Sequence, residues 1–340
     1  MARPPRTWEP RRLAFATDQA LLRQARAQFY GQSSDAYVDW LYGANPAGPP
    51  FCHLAMDGEV IAGQYVVIPI DMVAGGQSFK AALSLDTFTH EDYRRQGIFA
   101  GLGEAVLQEA GAAGCRFTIG FPNEKSHHGL TKNLRFEEPF GVYLLVRPLP
   151  HAVLGPGLAR RLPRPAGALA RLAGWRVEAV GAVDAAWVDR LWALRRPVTP
   201  IGLEKTGAWF QWRFEENPRA SYRYLVASRS DGEPAGVLVW SHDARAGRRP
   251  AVNLVDLEAA GYGARAALLA AFLDEVAAEG DAVKALATPG SALGRSLLAA
   301  GFVPVRRFPF TYRPHRADED LRPVLRASTW SISGAYADML

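Results

Sequence analysis

Leu83-Ser-Leu-Asp-Thr-Phe-Thr-His-Glu-Asp-Tyr-Arg-Arg-Gln-Gly-Ile-Phe-Ala-Gly-Leu102 is the stretch on which the reading of the fold turns. Residues 83–88 read as a buried strand. From Gly97 onward Ile98, Phe99, Leu102, Val106 and Leu107 fall on one side of an amphipathic helix. Between strand and helix lies a tight turn carrying Arg94, Arg95, Gln96 and Gly97. Such a joint aims several backbone N–H groups and the positive end of the helix dipole at one point, which suits a phosphate or pyrophosphate group. Gly97 lets the backbone come close, and the arginines add charge.

Upstream of this stretch, Asp18 to Phe29 has helical spacing, and a second short helix is read over Asp35 to Leu41. Asn45-Pro-Ala-Gly-Pro-Pro50 breaks the chain. Phe51 to Met56 and Val60 to Ile70 read as strands joined by the hairpin signal Asp57-Gly58. Downstream, the helix ends at Gly114, and a strand over Phe117 to Phe121 stops at Pro122-Asn123. The expected order is helix, antiparallel strands, then strand, helix, strand.

This order and these residues resemble the GNAT superfamily of acyl-CoA N-acyltransferases. Arg94-Arg-Gln-Gly-Ile-Phe99 is similar to the family's cofactor motif Q/R-x-x-G-x-G/A, with phenylalanine in the last position. Thr89-His-Glu-Asp-Tyr93 resembles its V-H-P-x-Y approach, with Glu91 where proline is usual. Phe121-Pro-Asn-Glu-Lys-Ser126 resembles the place where the family splays two parallel strands. Leu130 to Phe136 resembles Y-x-K-x-G-F, with Thr131 and Arg135 in the tyrosine and glycine positions. The resemblance spans roughly residues 15 to 148, and its details look most like a branch found among surface-polysaccharide biosynthesis proteins.

The resemblance implies that the backbone of Thr87, Phe88 and Thr89 meets the pantetheine arm of an acyl-CoA. It implies that the amides of Arg95, Gln96, Gly97, Ile98 and Phe99 hold the pyrophosphate; the side chains of Arg94 and Arg95 are read as adding contacts to it, with a solvated surface role for at least one of them as the alternative. Asn123 is expected at the pantetheine, or capping the helix that begins near Glu124, two roles that do not exclude each other. Amide formation from a thioester needs alignment of the two reactants and a base for the ammonium proton. Asp86, in an otherwise apolar strand near the cofactor end, is the first candidate base, with a structural hydrogen bond as the alternative. His127 or His128, close after Asn123, and Glu124 are further candidates. His90 is read as capping the turn. Tyr143 is considered as a substitute for the family's tyrosine acid.

Beyond Val146 the composition turns to proline, glycine and arginine through Gly174, which reads as an interdomain linker. After it, helix, strands, helix, strand and helix recur: Asp184–Leu194, Tyr222–Ala227, Ala235–Trp240, Val252–Leu257, Ala264–Ala278, Ala282–Ala287 and Ser291–Ala300. A second hairpin signal stands at Asp231-Gly232. The expected architecture is α/β with a mixed sheet, as two GNAT-like domains in tandem: 1–148 binding acyl-CoA, 149–174 as linker, and 175–340 as a degenerate copy. Leu257-Glu-Ala-Ala-Gly-Tyr-Gly-Ala-Arg265 has no arginine pair at its helix entrance, so the second domain is not expected to bind CoA. Trp209-Phe-Gln-Trp-Arg213 is read as core in preference to a platform for a sugar.

The length of 340 residues suits two domains, and 49% hydrophobic with 21% charged residues is a globular composition. A net charge of +5 favours anionic partners, a demand that a phosphate-bearing cofactor meets. The basic residues are dispersed, so nucleic acid is not an expected partner. Cys52 and Cys115 form neither a disulfide framework nor a metal-ligand spacing, so a cytoplasmic protein without a metal is expected. The basic N-terminus lacks a following apolar region and no apolar run reaches membrane-spanning length, so neither a secretory signal nor a transmembrane segment is expected. Nothing in the sequence sets an oligomeric state. The functional expectation is direct transfer of an acyl group, in first place acetyl, from acyl-CoA to a small-molecule primary amine such as an amino sugar. The alternative is a non-catalytic GNAT-fold binding or scaffold protein.

Overall fold

The computed structural model describes residues 7–31, 35–159, 170, 174–243, 250–316 and 325–336. The chain forms two compact units that are not consecutive in sequence. Unit 1 takes Met1–Met72, Ser78–Phe140 and Pro309–Leu325; unit 2 takes Val73–Gln77, Gly141–Phe308 and Arg326–Leu340.

Unit 1 begins with strand β1 (Glu9–Leu13), helix α1 (Phe15–Tyr30) and the short α2 (Asp35–Val38), which widens into a π-helical turn over Asp39–Gly43. Strands β2 (Phe51–Asp57), β3 (Val60–Ala74) and β4 (Gln77–Thr89) follow. Then come α3 (Ile98–Ala112), β5 (Phe117–Gly120), α4 (Glu124–His128) and the start of β6 (Glu137–Pro148). The sheet runs β1-β2-β3-β4-β5, with β4 and β5 parallel. Helix α3 buries Ile98, Leu102, Val106, Leu107 and Ala110 against Tyr65, Val67 and Ala82 of the sheet. Each such fully buried large apolar side chain stabilises by about 1.5–3 kcal/mol.

Unit 2 holds α5 (His151–Ala159), β7 (Trp175–Val180), α6 (Ala185–Arg195), β8 (Ile201–Leu203) and α7 (Gly207–Phe210), which again widens into a π-helical turn, Gln211–Glu215. It continues with β9 (Arg223–Arg229), β10 (Pro234–Asp243), β11 (Ala251–Ala259), α8 (Tyr262–Glu275), β12 (Ala282–Ala287), α9 (Ala292–Ala299) and β13 (Val303–Pro314). Its sheet runs β7-β9-β10-β11-β12, with β11 and β12 parallel. The same layout is therefore built twice. Even the π-helical turns match in sequence: Trp40-Leu-Tyr-Gly-Ala-Asn-Pro46 in unit 1 and Trp212-Arg-Phe-Glu-Glu-Asn-Pro218 in unit 2. Asn45 Oδ1 accepts from the Ala47 amide and Asn217 Oδ1 from the Arg219 amide, each at 3.0 Å, closing the same turn. Trp209, Phe210 and Trp212 are buried core residues of unit 2.

The consecutive division at 148 gives way to an interlaced one. Four residues of β13, Thr311 to Pro314, pair antiparallel with Gly120 to Phe117 of β5 in unit 1. Tyr143 to Pro148 of β6 pair with Ala287 to Ala282 of β12 in unit 2. The unpaired backbone groups of each parallel strand must find partners, and a strand from the other half of the chain supplies them as well as a local one would. Register comes from side chains: in unit 1 Phe310 stacks on Phe140 at 4.6 Å and Tyr312 packs against Phe117 at 5.1 Å. Of the linker 149–174, residues 151–159 form α5, while 160–169 and 171–173 lie outside the described residues.

Candidate functional site

In unit 1, β4 and β5 pair only through Ala82↔Thr118, Leu83↔Ile119 and Ser84↔Gly120. Beyond Ser84 and Gly120 the strands part. The opening is a cavity of about 1090 Å³ bounded by residues 85–89 on one side and 121–123 on the other, and by the first turn of α3, α4 and the end of α1.

The turn between β4 and α3 holds the eight residues 90–97. His90 caps it, Nδ1 accepting from the Asp92 amide at 3.2 Å, and the buried Tyr93 donates to Asp57 Oδ2 at 2.7 Å. Two residues adopt left-handed backbone, Arg95 at φ 64° and Gly97 at φ 78°. Gly97 supplies no side-chain cap to α3, and a Cβ built on it meets nothing within 4 Å. The first amides of α3, which have no intrahelical acceptor, thus face open space beside the exposed side chains of Arg94 and Arg95. Uncapped donors, a helix N-terminus and two cations fit an anionic, phosphate-bearing ligand. Gln96 does not line the cavity; its side-chain oxygen is buried. Phe99, which stands where the motif has glycine or alanine, finds room because residue 129 is glycine. A Cβ on Gly129 would sit 2.6 Å from Phe99 Cε1.

Asn123 lines the cavity and also caps α4, Oδ1 accepting from the amides of Lys125 at 3.0 Å and Ser126 at 3.1 Å. Both roles considered for it are sterically available, since these bonds use only its oxygen. Thr87, Phe88 and Thr89 line the cavity too, Phe88 stacking on Phe29. Glu124 and His127 do not. Glu124 is exposed in the first turn of α4, and His127 Nε2 is turned to Glu138 Oε2 at 2.6 Å. His128 does line it. Thr131, in the tyrosine position, hydrogen-bonds back to the His127 carbonyl at 2.9 Å. Tyr143 packs against the core of unit 2.

Asp86 lines the cavity, but its carboxylate is engaged from behind. Arg26 and Tyr42 both contact Oδ2, and Tyr42 also accepts from Arg26 at 3.2 Å. Arg26, 2% exposed, lies over the rings of Tyr30, Tyr37 and Tyr42 at 5.0–5.9 Å. Burial holds the Tyr42 phenol well above its usual range, Arg26 opposing only in part, so it remains a donor. The Asp86 carbonyl accepts from Gln64 Nε2 at 2.9 Å, and its backbone is left-handed at φ 47°. Arg26, Tyr42 and Gln64 escape a reading of motifs. The available signal is an arginine on the apolar face of α1, one turn beyond Leu22.

Unit 2 differs at the corresponding place. Between β11 and α8 only residues 260 and 261 remain, and Gly261 is extended at φ −165°. The Trp175 indole lies against Gly263, its Nε1 3.2 Å from where a Cβ would be. Lys205 Nζ sits 2.8 Å from both oxygens of Asp256 and from Glu258 Oε1, and Arg195 reaches Glu258 at 3.1 Å. Burial opposes the charge on Lys205, yet the two carboxylates outweigh it and raise its pKa. Burial likewise works against ionised Glu258, and Lys205 with Arg195 overcomes it, holding the carboxyl below its usual range.

A strand pair that splays beside an uncapped helix N-terminus, in a mixed sheet built twice, defines a tandem GNAT-like α/β fold. Residues 11–132 match the family described as Acetyltransferase (GNAT) domain. Solved structures agree on the fold. A GCN5-related N-acetyltransferase from Anabaena variabilis is 13% identical, with 92% of this chain and 74% of that one covered and a TM-score of 0.66. Saccharomyces cerevisiae N-myristoyltransferase with bound myristoyl-CoA is 12% identical over 92% of this chain and 80% of its own, at 0.58. A tandem GNAT protein from the clavulanic acid biosynthesis pathway is 14% identical over 91% of this chain and 99% of its own, at 0.57. No match is found among curated proteins. Among the described residues no helix is long and apolar enough to cross a membrane.

Proposed function

We propose that unit 1 is an acyl-CoA-dependent N-acyltransferase site and that unit 2 holds no second one. The observation that carries this is the opening of β4 from β5 beside the uncapped N-terminus of α3. The amides of residues 95–99, with Arg94 and Arg95, would hold the pyrophosphate. The edge of β4 at Thr87, Phe88 and Thr89 and the side-chain amide of Asn123 would hold the pantetheine. Acyl-CoA supplies the thioester; the chain aligns it with an amine, so that an N–C bond forms as the C–S bond breaks. The amine proton needs an acceptor within reach. Of the candidates, Glu124 and His127 lie off the cavity and Asp86 is held by Arg26 and Tyr42. We assign the proton to His128, which lines the cavity and has no side-chain partner among the described residues.

Acetyl transfer to a primary amine such as an amino sugar is the first case to test. Purified protein with acetyl-CoA and a panel of amines, amino sugars included, is expected to release free CoA with at least one of them, and His128→Ala to lower the rate about 100-fold or more. Binding of acetyl-CoA with no turnover across the panel would favour a binding protein on the same fold.

A further inference from the structure

We infer that Asp86 is a positioning residue: the buried pair Arg26 and Tyr42 grips its carboxylate and thereby fixes the left-handed backbone at which β4 leaves β5. This rests on the reading of the cleft as the acyl-CoA site. Three observations converge on it.

The first is the place of Asp86. The last parallel pair is Ser84↔Gly120, and two residues on, at Asp86, the backbone turns to φ 47°, a conformation in which L-residues other than asparagine and aspartate are strained. The surroundings hold it there from two directions, Gln64 on the main-chain carbonyl and Arg26 with Tyr42 on the carboxylate.

The second is the rigidity of the grip. Arg26 is buried and enclosed by the rings of Tyr30, Tyr37 and Tyr42. An ion pair with so little freedom left to lose holds geometry well.

The third is an internal control. In unit 2 the last parallel pair is Leu254↔Ala285, and two residues on stands Asp256, gripped through both oxygens by the buried Lys205. Next to it, at the step from Leu254 to Asp256, β11 bulges against β10. Unit 2 lacks the turn of residues 90–97 yet keeps an aspartate clamped by a buried cation at the same station. The clamp stands beyond the last parallel pair in both units, with or without the turn, while the left-handed backbone accompanies it in unit 1 alone among the described residues. In unit 1 the residues it steadies are Thr87, Phe88 and Thr89, which face the cleft.

The test compares Asp86→Asn, Asp86→Ala and Tyr42→Phe with the native chain. Asparagine accepts the left-handed backbone and keeps an oxygen for Tyr42 and Arg26, but cannot serve as a base; alanine does neither. A positioning role requires that Asp86→Asn keep acetyl-CoA affinity and kcat within about fivefold, with the acid limb of the rate–pH profile unmoved, while Asp86→Ala loses about 100-fold in kcat, the cost of a misplacement near 1 Å. Tyr42→Phe, which removes one donor and keeps the packed ring, is expected to lower kcat about threefold to tenfold without moving that limb. If Asp86→Ala does not fold, the asparagine and phenylalanine variants decide. Loss of activity in Asp86→Asn together with loss of the acid limb makes Asp86 the base and overturns the inference. Native affinity and rate in all three variants overturn it as well. Failure of the native chain to bind acetyl-CoA overturns the reading of the cleft, and the inference with it; where CoA binds and no amine is turned over, the affinities decide.

Discussion

The two units share a sheet order, a π-helical turn closed by Asn45 or Asn217, and a carboxylate clamped just beyond the parallel strand pair, yet they treat the space at the helix N-terminus in opposite ways. Unit 1 spends eight residues, 90–97, on the way from β4 to α3, and two of them are left-handed. Unit 2 spends two, with an extended glycine, and sets Trp175 against the start of α8. The backbone framework therefore does not need the long turn: the second copy keeps its core, from Leu225 through Phe272 to Leu297, without a counterpart of residues 90–97. What sets unit 1 apart is a longer turn with two left-handed residues beside an open cavity.

The largest effect that could break this comparison is expected at Gly97. Gly97→Glu puts a β-branch-free but bulky anion on a backbone at φ 78°, in the open space at the N-terminus of α3. Acetyl-CoA binding measured by calorimetry is expected to fall by about 100-fold or more, from backbone strain and from repulsion between the new carboxylate, which takes the place of an anion at the helix N-terminus, and the pyrophosphate. Unchanged affinity would remove the proposed pyrophosphate site.

An intermediate effect is expected in unit 2. Lys205→Met keeps an unbranched side chain one heavy atom shorter and leaves Asp256 and Glu258 without their shared cation. Removing one partner of a buried charge cluster costs about 3–5 kcal/mol, to be measured by denaturant unfolding, with acetyl-CoA affinity in unit 1 unchanged. A smaller effect is a matter of pH. Because the folded pKa of Glu258 is depressed, its ionisation contributes stability that is complete above the usual value of 4.5 and is lost as the pH falls toward about 2. Glu258→Gln should therefore flatten the acid side of the stability curve within that window; an unaltered acid slope would show that the cluster is not ionised as drawn.

Much of this was legible in residues whose physical demands are local. Asp57-Gly58 and Asp231-Gly232 each name a hairpin, and the spacing of Ile98, Leu102 and Val106 names the buried face of a helix. Asn123 as a cap and His90 on its turn are likewise matters of one to three residues. The interlaced strands are not local. Pro304, Pro309 and Pro314 obscure the strand of 303–314, and nothing nearby in sequence shows that Tyr312 will lie beside Ile119. The same holds for the site: Asp86 stands out in an apolar strand, whereas its partners Arg26, Tyr42 and Gln64 come from three other elements and carry no motif. Glu124 and His127 show the converse. Their proximity to Asn123 in sequence suggested the cleft, but the short α4 turns one to solvent and the other to Glu138. The repeat Trp40 to Pro46 and Trp212 to Pro218 is the sequence signal that ties the two units together most directly, and it lies away from both helix entrances.

The central claim is that one fold was built twice and one site once. Its most direct test is the stoichiometry of acetyl-CoA binding to the native chain, read by isothermal calorimetry or by native mass spectrometry. One CoA per chain, abolished by Gly97→Glu, is the expected result; two per chain, or one that survives Gly97→Glu, would contradict it.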